Sequence, residues 1–385
     1  MDGEQRLVMS LKFKNILKKM IFGIIGVAAL LGLAVFIFLQ HPMFGKEPGG
    51  KRLERIKQSP NYRDGIFQNQ SPTQMLRNDK SRVRLLWEFL FMKVKDLNPT
   101  RELPVVKTDL KNLAPDEDVL VWMGHSSLYL QIGGKRILVD PVLVSASPVP
   151  YTNVAFPGTG IYHPADMPDI DYLLITHDHW DHLDYKTMLS LKGRTKKVVC
   201  PLGVGEHLEY WGFNPDVITE LDWNDHLQLD EGIRLTALPA RHFSGRGFRS
   251  NHSLWTGYML QSAAAGNIYL SGDTGYDAHF RKIKEQFGDI DLAIMENGQY
   301  NEDWRYIHVV PEDLVKAIEE LKPKRLMTIH NSKYALGRHP WYEPMQKIAE
   351  ASATHSFNLI TPMIGQPVML KDSVQAFTKW WEEGL

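Results

Sequence analysis

The chain has 385 residues, 43% of them hydrophobic, which is enough for two domains or for one large α/β sandwich. Its formal net charge of −1 gives no overall field to attract a polyanion, so we expect no nucleic acid among its partners. The single cysteine, Cys200, excludes an internal disulfide and is interpreted as a buried structural thiol.

The first predicted element is an apolar segment at residues 20–39, which carries no charged side chain. At 1.5 Å per residue, a helix of this length spans about 30 Å, the thickness of a bilayer core. A cleaved signal peptide is the alternative, but residues 38–41 offer no small-residue cleavage site. Basic residues in the tail 1–19 favour a cytoplasmic N-terminus. We therefore predict a single-pass membrane anchor with the remaining chain outside the cytoplasm.

Residues 40–115 are predicted to connect the anchor to a catalytic domain at 116–385. As far as residue 75 this segment is rich in proline, glycine and charge, which is typical of a linker or an extended strap. A helix is predicted at 82–95 from the spacing of its apolar residues. We expect its apolar face to pack on the main domain; the alternative places Trp87, Phe89, Phe91 and Met92 at a membrane surface.

From residue 118 onward, short apolar strands alternate with turns and helices. The expected strands are 119–122, 127–132, 136–139, 172–175, 197–200, 235–238, 253–261, 267–271, 292–295 and 325–329. The expected helices are 186–192, 204–210, 311–321 and 341–351. Hairpins and alternating strands and helices occur in both halves, which indicates an α/β fold with two facing sheets and helices outside.

The most informative motif is Thr-His-Asp-His-Trp-Asp-His at residues 176–182, directly after a buried strand. Neutral imidazoles and a carboxylate, here His177, His179, Asp181 and His182, suit zinc or a similar first-row metal. Four ligands from one turn cannot all reach one ion in good geometry, so the motif favours two neighbouring metal ions. The alternative is a helix cap at Asp181 with histidines satisfied in the core.

Three further polar residues, His242, Asp273 and His330, each follow an apolar strand. Glycines on both sides of Asp273, at Gly272 and Gly275, allow the backbone and a metal to approach closely. Taken singly, each of the three residues suits a surface or a core position. Their shared position after a strand, beside the histidine motif, predicts one metal site.

Together these residues resemble the metallo-β-lactamase-fold hydrolase superfamily, whose members are αββα sandwiches with a two-metal site between the sheets. The resemblance implies two divalent ions, with zinc favoured. It implies that the first metal is bound by His177, His179 and His242, the second by Asp181, His182 and His330, and both by Asp273. It also implies that Asp140 orients the ligands without binding metal.

A narrower resemblance joins segments 122–127, 239–246, 271–276, 308–312 and 361–368 to the branch that contains N-acyl-phosphatidylethanolamine-hydrolysing phospholipase D. It implies that His308 faces the substrate and donates a proton or hydrogen bond to it; the alternative is a histidine that caps the following helix. His125 is expected either to contact the metal ligands or to pack beneath them. A basic loop, Arg241, Arg246 and Arg249, is a weaker candidate for phosphate binding.

The leading functional hypothesis is hydrolysis of a phospholipase D type, in which a hydroxide held between two metals attacks the phosphodiester of (N-acyl) phosphatidylethanolamine-like lipids. Asp273 and His308 are the residues expected to take part in catalysis. The runner-up is a lactonase or another hydrolase of cyclic esters or amides, since the same site attacks a carbonyl group. The non-enzymatic alternative is a membrane-tethered metal-binding protein. The expected partners are a membrane and a phospholipid or small ester substrate.

Overall fold

The computed structural model describes residues 3–76, 81–149 and 151–384 and divides the chain into two compact units, Met1–Phe44 and Gly45–Leu385. The first unit contains helix α1 (Gly3–Leu39). Within α1, the stretch Phe13–Leu39 has 27 residues, which is long enough to cross a membrane, and its most apolar 18-residue window has a mean hydropathy of 2.8. A membrane anchor and a signal sequence share this length and composition, so the orientation of the chain stays a prediction.

The second unit begins with a segment that we call the strap, residues 45–76. It contains helix α2 (Gly50–Ile56) and a small hairpin of β1 (Tyr62–Arg63) and β2 (Ile66–Phe67). Arg52 attaches α2 to the rest of the unit, because its guanidinium donates to Glu220 at 2.9 Å and to Glu209 at 3.0 Å. The segment is therefore an extended strap packed on the main domain. The boundary of a catalytic domain at residue 116 stays a prediction.

Helix α3 (Arg82–Phe91) is four residues shorter than predicted, since it ends where Met92 adopts an extended backbone. One of its faces is apolar and solvent-exposed: Val83 is 78% exposed, Trp87 56% and Phe91 65%. The prediction that these side chains pack on the main domain is therefore wrong. The helix is attached from another side, where Arg338 donates to the carbonyl of Glu88. The side chain of Phe89 lies outside the described part of the chain.

Two seven-stranded mixed sheets form the centre of the second unit. The first has the order β16-β3-β4-β5-β6-β7-β8 and the second β15-β14-β13-β12-β11-β10-β9. The strands of the first sheet are β3 (Val119–Trp122), β4 (Leu128–Ile132), β5 (Lys135–Val139), β6 (Ile170–Leu174), β7 (Thr195–Pro201), β8 (Ile218–Leu221) and β16 (Pro367–Met369). Those of the second are β9 (His226–Asp230), β10 (Ile233–Leu238), β11 (Gly257–Ser262), β12 (Gly266–Leu270), β13 (Leu292–Glu296), β14 (Leu326–Ile329) and β15 (Leu359–Ile360).

Helices cover the outer faces of both sheets. They are α4 (Tyr185–Leu191), α5 (Val204–Tyr210), α6 (His279–Phe287), α7 (Pro311–Leu321) and α8 (Glu343–His355). Alternation along each strand explains the layers. In β3, Leu120 and Trp122 point into the core between the sheets, whereas Val119 and Val121 point into the outer core. This arrangement confirms the predicted αββα sandwich.

The remaining differences from prediction occur where apolar patterning is weak. The four edge strands β8, β9, β15 and β16 and the charged helix α6 were not expected. Strands β8 and β9 and helix α6 carry several polar side chains, and β15 and β16 have only two and three residues. Strand β11 begins at Gly257 rather than at residue 253. Cys200 lies fully buried in the outer core on β7, as expected for a structural thiol.

Candidate metal centre

The histidine motif leaves the first sheet just after β6. Because β5 and β6 are parallel, Asp140 and the motif meet at the same edge of the sheet. Asp140 accepts from the backbone N–H of Thr176 at 2.8 Å, which fixes the start of the loop. After the motif, Asp184 caps α4 by accepting from Lys186 N–H. The loop is thus fixed at its start by Asp140 and at its end by Asp184.

Three loops of the second sheet bring the other predicted ligands to the same place. His242 follows β10, Asp273 follows β12 and His330 follows β14. Gly272, before Asp273, has φ +59°, and a Cβ atom there would lie 2.6 Å from the carbonyl oxygen of Thr256. Glycine is therefore required for this close approach, as expected from the sequence.

Asp273 lies at the centre of the cluster. Its Oδ2 is 3.1 Å from His330 Nε2, 3.2 Å from His182 Nε2 and 3.8 Å from His242 Nε2. The same oxygen is 3.9 Å from His177 Nε2. Asp273 therefore contacts members of both predicted ligand groups, which is the position required of a bridging carboxylate.

Within each of the two predicted ligand groups, the side chains lie close to one another. In the first, His179 Nδ1 lies 2.9 Å from His177 Nε2 and 3.2 Å from His242 Nε2. In the second, Asp181 Oδ2 lies 3.3 Å from His330 Nε2 and 3.6 Å from His182 Nε2. The structure thus brings all seven predicted ligands together, and their assignment to two metal ions stays a prediction.

The donor set suits divalent cations. His182 Nε2 and Asp273 Oδ1 are buried and make no hydrogen bond with the described residues, although burying an unpaired polar atom is costly. Imidazole nitrogens and carboxylate oxygens are the ligands that zinc and other first-row metals prefer. Metal coordination would satisfy both atoms and neutralise the buried carboxylates.

Burial and charge set the protonation of the cluster. Desolvation lowers the pKa of His177 and His242 well below the usual histidine value. Desolvation also acts on His330, but the carboxylates of Asp273 and Asp181 outweigh it and raise the pKa of His330 to about 10. The carboxylates thus favour a cation at this side of the cluster, a proton or a metal ion.

Asp140 supports the cluster from behind. Its Oδ2 pairs with His182 Nδ1 at 2.9 Å, so this ring nitrogen carries the proton and Nε2 is left to bind metal. Because Oδ1 accepts from Thr176 N–H, the Asp140→Asn amide would direct its NH₂ group toward His182 Nδ1–H. We expect this variant to weaken zinc binding about 10- to 100-fold, measured by competition with a chromophoric chelator. Unchanged zinc affinity would show that Asp140 does not orient His182.

His125 contacts the ligands directly. Its Nε2 lies 2.9 Å from Asp181 Oδ2, and its ring is fully buried. Burial, outweighing the Asp181 carboxylate, lowers the pKa of His125 to about 3. Of the two predicted alternatives, the structure therefore places His125 against a ligand.

His308 faces the same cluster, and a carboxylate that was not predicted accompanies it. His308 Nδ1 lies 2.8 Å from Glu296 Oε2, and Glu296 is the last residue of β13. Glu296 comes directly after the predicted apolar strand 292–295, as Asp273 and His330 follow their predicted strands, and this shared position is the signal that could have identified it. Asp178, inside the motif, was also missed; it pairs with His207 Nε2 at 3.1 Å and with Ser253 Oγ at 2.7 Å.

The basic loop does not supply phosphate ligands from its three arginines. Arg246 is buried, with its guanidinium 4.0 Å from the Trp180 ring centroid. Arg241 binds the strap through Thr73 Oγ1 at 2.9 Å, and Arg249 pairs with Glu47 at 2.9 Å. The phosphate-binding interpretation is therefore not supported, because these side chains bind other parts of the protein.

A cavity of about 460 Å³ opens over the metal cluster. Its polar lining comprises His179, Asp181, Ser250, Asp273, Gln299, His308 and His330. Its apolar lining comprises Met75, Leu76, Phe243, Trp304, Ile307 and Leu336. The volume suits a small ligand, and the lining combines metal-binding side chains with apolar ones, of which Met75 and Leu76 belong to the strap.

Comparison with known proteins identifies the class. A family model described as a beta-lactamase superfamily domain matches residues 135–331. An uncharacterized protein of Mycobacterium tuberculosis is 36% identical over 323 residues, covering 81% of this chain and 85% of that protein. The fold and the ligand cluster define a metal-dependent hydrolase. The chain belongs to the metallo-β-lactamase superfamily.

Two further similarities concern narrower groups. N-acyl-phosphatidylethanolamine-hydrolyzing phospholipase D 1 of Caenorhabditis elegans is 32% identical over 248 residues, covering 60% of this chain and 68% of that enzyme. The solved structure of CmlA, a diiron β-hydroxylase from Streptomyces venezuelae, has a TM-score of 0.51 at 20% identity. That match covers 66% of this chain and 54% of CmlA. This chain thus spans about half of CmlA, and the likeness shows the fold alone.

Proposed function

We propose that this protein is a phosphodiesterase of phospholipase D type that hydrolyses N-acyl-phosphatidylethanolamine-like membrane lipids. The observation that carries the proposal is the cavity, whose lining combines metal-binding side chains with six apolar side chains. A lipid joins a charged phosphodiester to apolar acyl chains, so it matches a cavity that is lined by both charged and apolar side chains. The similarity to the nematode phospholipase D supports the same substrate class.

The seven clustered histidines and aspartates are the proposed metal ligands, and two zinc ions are the proposed cofactors. When bound, such ions supply Lewis acidity and an activated water. We propose that His308 acts at the leaving-group side. Its Nδ1 is occupied by Glu296, so Nε2 is the nitrogen available to a ligand in the cavity. His125 and Asp140 would keep Asp181 and His182 oriented.

The apolar helix α1 fits this substrate class, and we propose that it is a single-pass anchor. A tethered enzyme meets lipid substrates at the high local concentration of the membrane. The proposed topology keeps the basic tail 1–19 in the cytoplasm and residues 45–385 outside it.

Narrowing the apolar side of the cavity tests the lipid assignment. Leu336 lines the wall and belongs to neither predicted ligand group. We expect Leu336→Trp to lower turnover of a long-chain N-acyl-phosphatidylethanolamine about tenfold or more, because the indole ring would occupy space that the acyl chains need and a tenfold loss corresponds to only about 1.4 kcal/mol. Turnover of bis-p-nitrophenyl phosphate, which has no acyl chains, should change little.

The matched control is Val374→Trp, since Val374 is 86% exposed and does not line the cavity. It should leave both activities unchanged. Equal losses on both substrates in Leu336→Trp would contradict a lipid-binding wall. Hydrolysis of lactones or other cyclic esters, with no activity on either diester, would instead support the runner-up function at the same site.

A further inference from the structure

The exposed apolar side chains of the second unit are concentrated in a few segments. Among the described residues of this unit, the exposed large apolar side chains other than Val106, Tyr210 and Val374 all lie in five segments. We call them the apolar segments: residues 75–76, 82–92, 142–155, 243–250 and 304–308. Their positions relative to the cavity show what they have in common.

Three of the apolar segments line the cavity themselves. Met75 and Leu76, at the end of the strap, line it and are nevertheless 43% and 48% exposed. Phe248, which is 86% exposed, and Tyr306 lie in loops whose first and last residues both line the cavity. These exposed side chains therefore lie close to the cavity lining.

The other two apolar segments contact the loop that carries Leu336, which lines the cavity. Leu336 packs against a small apolar cluster that includes Ala146 of segment 142–155. Two residues further along, Arg338 donates to the carbonyl of Glu88 in α3 at 2.6 Å. Exposed apolar side chains that gather near a cavity, instead of lying scattered, mark a surface that contacts a partner or a membrane.

Helix α3 presents an apolar face to solvent and a carboxylate to the protein. Val83, Trp87 and Phe91 repeat every four residues and share one face, and the ring centroids of Trp87 and Phe91 are 6.0 Å apart. Glu88, in contrast, is only 8% exposed. A surface helix of a globular protein buries its apolar face. The reversed orientation of α3 therefore indicates that its apolar face contacts something other than water.

The composition of the apolar segments favours a lipid bilayer. Residues 142–155 contain no charged side chain. Trp87 and Tyr151 are exposed aromatic residues of the kind that lies at membrane–water interfaces. Lys93 and Lys95, directly after α3, are exposed and attract anionic headgroups. Apolar and aromatic side chains beside lysines match the acyl chains and headgroups of a bilayer surface.

We propose that the apolar segments dock on the surface of a bilayer that contains anionic lipids, so that the cavity receives its lipid directly from the membrane. The use of the cavity rests on the proposed function, whereas the docking itself requires no hydrolysis. Met75 and Leu76 are exposed and also line the cavity, so they offer acyl chains an apolar path into it. A protein docked on the same side chains would cover that path.

Spin labels on the full chain in nanodiscs of phosphatidylcholine and phosphatidylglycerol measure the docking directly. The labels are attached to Trp87→Cys and, in a separate protein, to Tyr151→Cys. Cys200 should stay unlabelled because it is fully buried. We expect both labels to collide more often with oxygen, which concentrates in the bilayer, than with a water-soluble nickel chelate.

The matched control is Val374→Cys, since Val374 is 86% exposed and lies outside the apolar segments. Its label should collide more often with the nickel chelate. Labels at positions 87 and 151 that behave like the label at position 374 would overturn the proposal. Spin–spin broadening between two chains, with the nickel chelate still reaching positions 87 and 151, would assign the surface to a second copy of this chain and overturn it as well. Because the three side chains are exposed, the variants should unfold at the same temperature as the parent.

A charged substitution tests the consequence for turnover. In nanodiscs, Trp87→Glu should lower hydrolysis of N-acyl-phosphatidylethanolamine about tenfold more than hydrolysis of bis-p-nitrophenyl phosphate, which reaches the cavity from water. Val374→Glu should show no such difference between the two substrates. Equal losses in Trp87→Glu would contradict delivery from the bilayer. A parent that hydrolyses neither substrate would refute the proposed function, and the spin labels would then decide the docking by themselves.

Discussion

Replacing Asp273 with asparagine is expected to abolish metal binding and hydrolysis together. Asp273 Oδ2 lies within 4 Å of His177, His182, His242 and His330, so no other predicted ligand contacts as many members of both groups. An amide carries no charge and presents hydrogens to nitrogens that must remain free for metal. Since bound ions contribute several kcal/mol to the transition state, we expect turnover to fall about 10³-fold or more.

Metal content and turnover should be measured on the same Asp273→Asn preparation. The matched control is Asp118→Asn, because Asp118 is similarly buried but pairs with Lys371 at 2.6 Å, away from the cluster. The control should keep both metal and activity. An Asp273→Asn protein that retained both would show that Asp273 does not bridge the two ligand groups.

Removing the metal is expected to make stability strongly dependent on pH, with a maximum near the usual histidine pKa of about 6.5. Burial lowers the pKa of His177, His179 and His242 in the folded state, and that of His125 to about 3. Below pH 6.5 these histidines become protonated in the unfolded chain but stay neutral in the folded protein. Stability is therefore lost as the pH falls, by up to about 1.4 kcal/mol per histidine per pH unit.

Two other histidines make the metal-free protein less stable as the pH rises. Nearby carboxylates overcome desolvation and raise the pKa of His182 well above its usual value and that of His330 to about 10. Their contribution to stability is complete below pH 6.5 and is lost as the pH rises toward 10. Because a metal replaces these protons, zinc should stabilise the protein more at pH 8 than at pH 5.5.

Thermal unfolding of the full chain in micelles checks this expectation. The chelator-treated protein should show its highest Tm near pH 6.5 and lower values at pH 5 and at pH 9. The zinc-loaded protein provides the comparison at each pH. A metal-free protein with the same Tm from pH 5 to pH 9 would contradict the described protonation of the cluster.

The ligands were predictable because each follows a strand that periodicity identifies. Apolar alternation sets which residues form β12 and β14, and the chain must then leave the sheet at Asp273 and His330. Glu296, the last residue of β13, obeys the same rule, but it belongs to no recognised motif and appears as an ordinary charge after an apolar run. The rule that identified the ligands could therefore have identified Glu296 as well.

Contacts across long sequence separations were not predictable. Asn69 of the strap holds the backbone of His242 by donating to its carbonyl at 2.8 Å and accepting from its N–H at 3.0 Å, across 173 residues. Local pattern carries no information about such a pair. The direction of the Arg246 side chain could not be predicted for the same reason, because its guanidinium packs on the ring of Trp180, which is distant in sequence. Exposed Trp87 and Phe91 show the limit of periodicity, which predicts an apolar face but not what covers it.

The most direct test of the proposed function is hydrolysis of N-acyl-phosphatidylethanolamine in ¹⁸O-labelled water. The zinc-loaded full chain would be used in micelles, with Asp273→Asn as the inactive reference and mass spectrometry of the products. We predict that phosphatidic acid is released and carries one ¹⁸O atom, while the N-acylethanolamine carries none. Label in a released fatty acid, or no phosphatidic acid at all, would contradict a phospholipase D reaction at this site.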